Sequence, residues 1–369
     1  MNLTTTYMGI SLPHPLIIGS GSLTDDLETV KELEDNGAAA LVLRSLYAEE
    51  IAGEQMSAFF NSDSHDESSP EAGSYFPEPE LALGPDEYLE HLRRVKATVG
   101  IPVIASLNGA VPGDWISYAR LLQEAGADAL ELDLYHSASD AATTAAEIED
   151  HMIGIVREVK AAVSIPVAAK LSPLFTAFAN FATRLDAAGV DGLVLFTRFH
   201  RVDIDVIDLE VLRSVELSDS SELQLRLRGA AVLAGRINAA IAIAGGVHTG
   251  LDVIKANMSG ACVTQMVSAI LRNGPRHLRT VLAELESWMK NAGFSSYQVK
   301  KTPLDVVVPT PTDIVNGFVV KHSLGKEVRQ RDPAALEPMA RDLEKKIGEQ
   351  FGHGPVSYTL TAFICTAEK

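Results

Sequence analysis

Apolar runs recur along the chain, and four of them follow a glycine in the same way. The segments NGAAALVLRS (36–45), AGADALELDL (125–134), AGVDGLVLFT (188–197) and SGACVTQMVS (259–268) share this plan. The glycine suits the position just past a helix, where positive φ is needed, and the apolar run then reads as a strand. A second theme is VGIPVIASLNG (99–109) and VSIPVAAKLSP (163–173), in which Ile-Pro ends a helix and opens a strand. PLIIGSG (15–21) and IAIAGG (241–246) add two more runs. Eight strands are therefore predicted, over 16–20, 39–44, 102–107, 129–134, 166–171, 192–196, 240–244 and 261–266.

Between them lie segments whose apolar residues recur at three and four, the helical period, as in DDLETVKELEDNG (25–37) and EIEDHMIGIVREVKAAV (147–163). Strands apolar throughout, alternating with helices, predict a parallel sheet covered on its outer face. Eight such units predict an α/β fold, a (β/α)8 TIM barrel. An open doubly wound sheet is the other arrangement with this alternation, but no GxGxxG turn follows the first strand.

Three segments break the rhythm. Residues 46–84 contain NSDSHDESSPEAGSYFPEPE, polar and rich in Ser, Pro and Glu, and residues 198–224 follow the sixth strand. Both follow strands, so on a barrel both lie at the C-terminal, active-site face. Past residue 300 the barrel pattern ends. DIVNGFVVKH, DPAALEPMARDLEKKIGEQF and PVSYTLTAFICTA read as strand, helix and strand. The predicted organisation is a barrel over 1–300 and a C-terminal extension over 301–369.

Charge narrows the partners. Lys and Arg total 31 against 49 Asp and Glu, a formal charge of −18, so nucleic acid is not an expected partner. The two cysteines form no metal-spaced cluster and suggest no disulfide framework. The first residues show no signal-peptide pattern, and no apolar stretch approaches the ~18 residues of a membrane span, so a soluble cytoplasmic protein is expected.

On a barrel, chemistry belongs at the C-terminal strand tips. Gly245-Gly246 ends the seventh strand before a helix, and with Ser268 at the next tip it suits a phosphate: backbone N–H groups face the anion and glycine allows close approach. Lys170 stands in a strand otherwise made of Val, Ala and Leu. It is a fixed cation for an anionic cofactor, a Schiff-base amine, or half of a structural ion pair. Asn108 and Arg44 are polar tip groups of the same kind. His136 is a candidate general base or a solvated strand end, and Ser137 has no activating base nearby in sequence.

Taken in order, PLIIGSG, LVLRS, VIASLNG, ELDLY, PVAAKLSP, IAIAGGV and TQMVSA resemble the dihydroorotate dehydrogenases, FMN-containing (β/α)8 barrels, and most closely their divergent dihydroorotate dehydrogenase-like subgroup. The resemblance covers about residues 1–295. It implies a flavin-dependent dehydrogenase acting on a CH–CH bond, with Gly19, Ser20 and Gly21 beside the isoalloxazine ring. Lys170 would face the flavin N1/O2 edge, Asn108 and Ser45 would join the cofactor set, and Gly245, Gly246 and Ser268 would hold the phosphate. It also implies a small anionic substrate met by Arg44, Asp133, Thr197 and Arg198, and a separate electron acceptor or partner subunit, since no iron–sulfur cysteine motif is present. A homodimer is a further expectation.

The departures fall in the substrate set. The family's strand-4 motif, Asn-Leu-Ser-(Cys or Ser)-Pro-Asn, reads Asp133-Leu134-Tyr135-His136-Ser137-Ala138, with His136 at the position of the base. The Asn expected after strand 6 reads Thr197, and the Lys-Ser pair after strand 2 reads Arg44-Ser45. The loop that covers the substrate is replaced around SYFPEPE, and the usual Gly-Thr near the phosphate reads Val267-Ser268. Changing hydrogen-bonding groups changes which substrate is accepted. Rival readings are a non-catalytic barrel serving as a binding or regulatory subunit, and a phosphate-binding aldolase or isomerase with Lys170 forming a Schiff base.

Overall fold

The computed structural model describes residues 2–47, 85–108, 114–134, 140–197, 201–206, 210–214, 217–292, 296–320, 328–329, 332–352 and 354–368. The chain begins with a hairpin of β1 (Thr5–Tyr7) and β2 (Ile10–Leu12). Its two-residue turn, Met8-Gly9, has positive φ at both positions (50° and 80°), the handedness that matches strand twist.

The barrel strands are β3 (Leu16–Ile18), β4 (Leu41–Tyr47), β5 (Val103–Asn108), β6 (Ala129–Leu134), β7 (Val167–Leu171) and β8 (Gly192–Leu195), followed after a second hairpin (β9, Arg201–Asp205; β10, Glu210–Ser214) by β11 (Ala240–Ala244) and β12 (Val263–Met266). All eight run parallel, and β12 closes on β3. The protein is a (β/α)8 barrel. The eight predicted strands are the eight observed ones.

Alternation along the strands divides the core in two. Leu130, Leu132 and Leu134 of β6 face the helices with Val167, Ala169 and Leu171 of β7. Ala129, Ala168, Ala242 and Val263 face the barrel axis, where Tyr7, Met8 and Leu12 of the first hairpin pack among them. Small interior residues thus leave room for a plug. Gly192 is part of that fit, since a Cβ there would lie 3.0 Å from the Met8 side chain.

Two of the glycine-led segments carry an Asp two residues after the glycine, Asp128 and Asp191, and these have a structural reason. Asp128 accepts the Val103 N–H (2.7 Å) and the Lys96 ammonium (2.6 Å). Asp191 does the same with Val167 N–H (2.7 Å) and Lys160 (2.5 Å). Each aspartate ties the start of the preceding strand to the helix before it.

Among the helices, α1 (Leu27–Asp35), capped by Asp26, and α4 (Ala145–Ala162) fall on the predicted helical segments, and α2 (Pro85–Thr98) and α3 (Asp114–Glu124) join them. A capping box, Thr144 with Glu147, starts α4. The remaining helices of this unit are α5 (Phe178–Ala187), α6 (Leu223–Leu233), α7 (Gly250–Met258), α8 (Ser268–Asn273) and α9 (His277–Asn291).

Residues 299–366 form a second compact unit. A two-stranded sheet of β13 (Ser296–Val308) and β14 (Val356–Glu368) accompanies α10 (Pro311–Val315) and α11 (Leu336–Phe351). DIVNGFVVKH, expected as a strand, is helical over its described part, to Val320. Thr310 accepts the Asp313 N–H and Pro311 opens the first turn, so the segment starts as a capped helix. The partner of the last strand is 296–308 instead.

Candidate active site

The register of the barrel sets three polar residues side by side. Asn108 pairs with Asp133, and Asp133 pairs with Lys170, across β5, β6 and β7. They share the inward face with Ile104, Ala129 and Ala168, and they stand at the C-terminal ends of their strands. Asn108 is half-buried, while Asp133 and Lys170 are buried.

Beneath this row lies a buried carboxylate. Glu131, 1% exposed, meets Lys170 Nζ at 3.2 Å and accepts from Gln265 Nε2 at 2.6 Å. The Gln265 amide is pinned from one side only, because its Oε1 is buried with no hydrogen-bond partner among the described residues. Tyr7 Oη is another such atom, and burial together with Glu131 pushes the phenol's pKa well up. Asp133 is also pushed up, chiefly by burial, against the opposing pull of Lys170 and the Thr197 hydroxyl. Thr197 Oγ1 donates to Asp133 Oδ1 at 2.7 Å.

A bulge in β4 re-aims the neighbouring side. The register slips between Val42 and Ser45, so Ser45 joins the interior while Arg44 occupies the irregularity. Ser45 Oγ lies 3.2 Å from Ser20 Oγ and 2.8 Å from Ser106 Oγ, a chain of three hydroxyls leading up to the mouth. Arg44 reaches Asp25 at 3.7 Å, at the rim. Tyr88 locks the bulge: its hydroxyl donates to the Arg44 carbonyl (2.8 Å) and accepts the Ser106 N–H (3.2 Å). Tyr88→Phe removes both hydrogen bonds from buried backbone and is expected to cost about 1–3 kcal/mol in urea unfolding.

Gly19 and Gly21 form a wall of bare backbone on the other side. A Cβ on Gly19 would lie 3.0 Å from Val267 and 3.1 Å from Gln265 Oε1. Farther round, Gly245 and Gly246 have φ of 85° and 76°. Here the loop before α6 crosses the tips of β11 and β12. The Gly246 N–H donates to Ser218 Oγ (3.2 Å), and the Ser218 N–H donates to Ser268 Oγ (3.0 Å). Arg272 holds the Ser218 carbonyl at 2.6 Å, and His248 Nε2 lies 3.3 Å from Ser218 Oγ. Burial and Arg272 lower the His248 pKa. Both α6 and α7 start beside this cradle, which adds the positive ends of two helix dipoles.

Of the residues singled out in sequence, Asn108, Lys170, Asp133, Thr197, Ser45 and Ser20 come together around one mouth, with Gly19 and Gly21 beside them. Gly245, Gly246 and Ser268 form the neighbouring cradle. His136, Ser137 and Arg198 lie outside the described residues, as does SYFPEPE. Sequence reasoning missed Glu131, Gln265, Ser106 and Ser218. The signal for the first two was available: a Glu and a Gln at inward positions of otherwise apolar strands need partners. Among the described residues no cluster has the make-up of a metal site, and no helix is long and apolar enough to cross a membrane.

A profile of the family described as dihydroorotate dehydrogenase matches residues 2–289. The chain belongs to the dihydroorotate dehydrogenase family. It is 29% identical over 303 residues to the protein of Thermoplasma acidophilum named dihydroorotate dehydrogenase B (NAD(+)), catalytic subunit, an alignment covering 80% of this chain and 97% of that one. The protein of the same name from Methanocaldococcus jannaschii is 25% identical over 311 residues, covering 80% and 96%. Membership makes the chain an oxidoreductase of the dihydroorotate dehydrogenase type, acting on a CH–CH bond. The barrel mouth that carries Lys170 lies within the matched region, and the unit 299–366 lies beyond it.

Proposed function

We propose that this family member is an FMN-dependent dehydrogenase that oxidises a small anionic substrate, dihydroorotate or a close relative, and serves pyrimidine biosynthesis if dihydroorotate itself is used. The observation that carries the reading is the row Asn108–Asp133–Lys170 at the barrel mouth, in a chain of this family. The residues present suit a flavin mononucleotide. Lys170 and the Asn108 amide offer donors to a polar ring edge, Gly19 and Gly21 leave a flat wall, and the cradle of Gly245, Gly246, Ser218 and Ser268 gathers N–H and hydroxyl donors for a phosphate.

When bound, FMN supplies the acceptor for the two electrons of the CH–CH bond. Lys170 holds a fixed positive charge where negative charge grows, and Glu131 and Gln265 hold Lys170 in place. Ser20 and Ser45 line the approach. His136, at the position of the family's base, takes the proton from the neighbouring carbon, with Ser137 beside it. Arg44 and Arg198 draw the substrate's anionic group, while Asp133 and Thr197 meet its other end. Relatives are named as catalytic subunits, which supports a separate electron-accepting partner here.

The test is anaerobic mixing of the FMN-loaded protein with dihydroorotate, following loss of the flavin band at roughly 450 nm. Bleaching within seconds is expected. His136→Ala is expected to slow it by about 10²–10⁴-fold with FMN content unchanged. Undiminished bleaching would remove His136 from the role of base.

A further inference from the structure

The carboxylate of Asp133 is only half satisfied. Thr197 donates to Oδ1 at 2.7 Å, and Oδ2 accepts no hydrogen bond from the described residues, although the residue is only 6% exposed. An ionised carboxylate has about four acceptor sites, so Oδ2 is left for a group that enters the mouth. The charges around it are unbalanced in the same sense. Glu131 and Asp133 share the single ammonium of Lys170, which lies 3.2 Å from Glu131. At the rim, Arg44 is answered by Asp25. Among the described residues, the mouth has one carboxylate more than it has cations. Burial pushes the Asp133 carboxyl up, while Lys170 and the Thr197 hydroxyl pull it back toward the ionised form.

We propose that Asp133 reads a nitrogen-bound proton on the substrate, so that the substrate carries an exocyclic amine or amidine nitrogen, in place of a ring carbonyl, at the end it turns to β6. The inference rests on the oxidoreductase reading above and narrows its substrate class. An ionised carboxylate accepts hydrogen bonds and donates none. A nitrogen donor would fill Oδ2, and a protonated one would also balance the surplus charge. A carbonyl oxygen in the same place would set lone pair against lone pair. Asparagine at this position would tolerate either group, since its amide both donates and accepts. Asp133 is thus a specificity-determining residue that discriminates against a carbonyl.

The test is calorimetric titration of the protein, as purified, with orotate and with its 2-amino and 4-amino analogues, in which an exocyclic amine replaces one ring carbonyl. At least one amino analogue is expected to bind the wild type about 10-fold or more tightly than orotate does. Asp133→Asn, nearly the same size, is expected to abolish or reverse that preference. Thr197→Val, which frees Oδ1 for the ligand, is expected to keep or sharpen it. The proposal is overturned if orotate binds the wild type better than both analogues, if the ratio is the same in Asp133→Asn, or if neither analogue binds. Flavin absorbance recorded on the same samples separates the two readings. A colourless protein that keeps the preference refutes the flavin and leaves Asp133 in its role.

Discussion

Lys170→Met is expected to abolish substrate-driven reduction and to destabilise the fold together. Two separate effects add. The ammonium is the only cation described on Glu131, which is 1% exposed. Removing it strands a buried carboxylate, which costs about 3–5 kcal/mol. Removing a fixed charge from the place where negative charge develops costs a further factor of about 10²–10³ in rate. The two are separable. Glu131→Gln in the same chain removes the stranded charge, so the double variant Glu131→Gln/Lys170→Met should recover most of the stability in urea unfolding. It should recover none of the reduction rate in anaerobic stopped-flow. If the double variant regains both, Lys170 serves the fold alone. If the single variant keeps wild-type reduction, Lys170 has no part in the reaction.

Gly246→Val carries the second large effect. A Cβ at this position would lie 2.5 Å from Leu223 N and 2.9 Å from Leu223 Cα, at the start of α6. Those are backbone atoms, so the helix itself would have to move. The residue also has φ of 76°, where an L side chain costs about 1–2 kcal/mol. Overpacking adds roughly 1–3 kcal/mol. Gly9→Ala isolates the first of these terms. Its φ is 80°, and nothing lies within 4 Å of the added Cβ. Gly9→Ala is therefore expected to lose only the backbone term, and Gly246→Val both, along with FMN retention. Equal losses of stability in the two variants would mean that the close approach to α6 is not what demands glycine.

Much of the barrel was legible because its periodicity is local. A glycine past a helix, then a strand, recurs four times, and the Asp of two of these segments turned out to fasten strand to helix. The inward row could be read only in part. Lys170 stood out as a cation among Val, Ala and Leu, but its partner Glu131 lies 39 residues away and Gln265 lies 134 residues beyond Glu131. Contacts at that range leave no periodic trace. The bulge in β4 defeated simple alternation: counting from Ala40 and Val42 points Arg44 inward, whereas Ser45 takes the interior place. The first hairpin went unread because Met8-Gly9 lacks the Asn-Gly or Asp-Gly pair that usually announces such a turn. Ser218 hid in a polar stretch, 28 residues from Gly246 and 50 from Ser268, the groups that give it meaning.

The tail shows a different failure. DIVNGFVVKH has the β-branched and aromatic content of a strand, but the cap formed by Thr310, Pro311 and Asp313 starts a helix there. A local cap outweighed composition, a choice that the apolar pattern alone does not make.

The account rests on a flavin at the mouth formed by Asn108, Asp133 and Lys170. The most direct measurement is the absorbance spectrum of the full-length protein, purified and then incubated with FMN and desalted. About one FMN per chain, with bands at roughly 370 and 450 nm, is the result expected for a flavin barrel. Gly246→Val should lose that flavin in the same experiment. A wild-type protein that stays colourless after reconstitution, while folded by circular dichroism, would contradict the account.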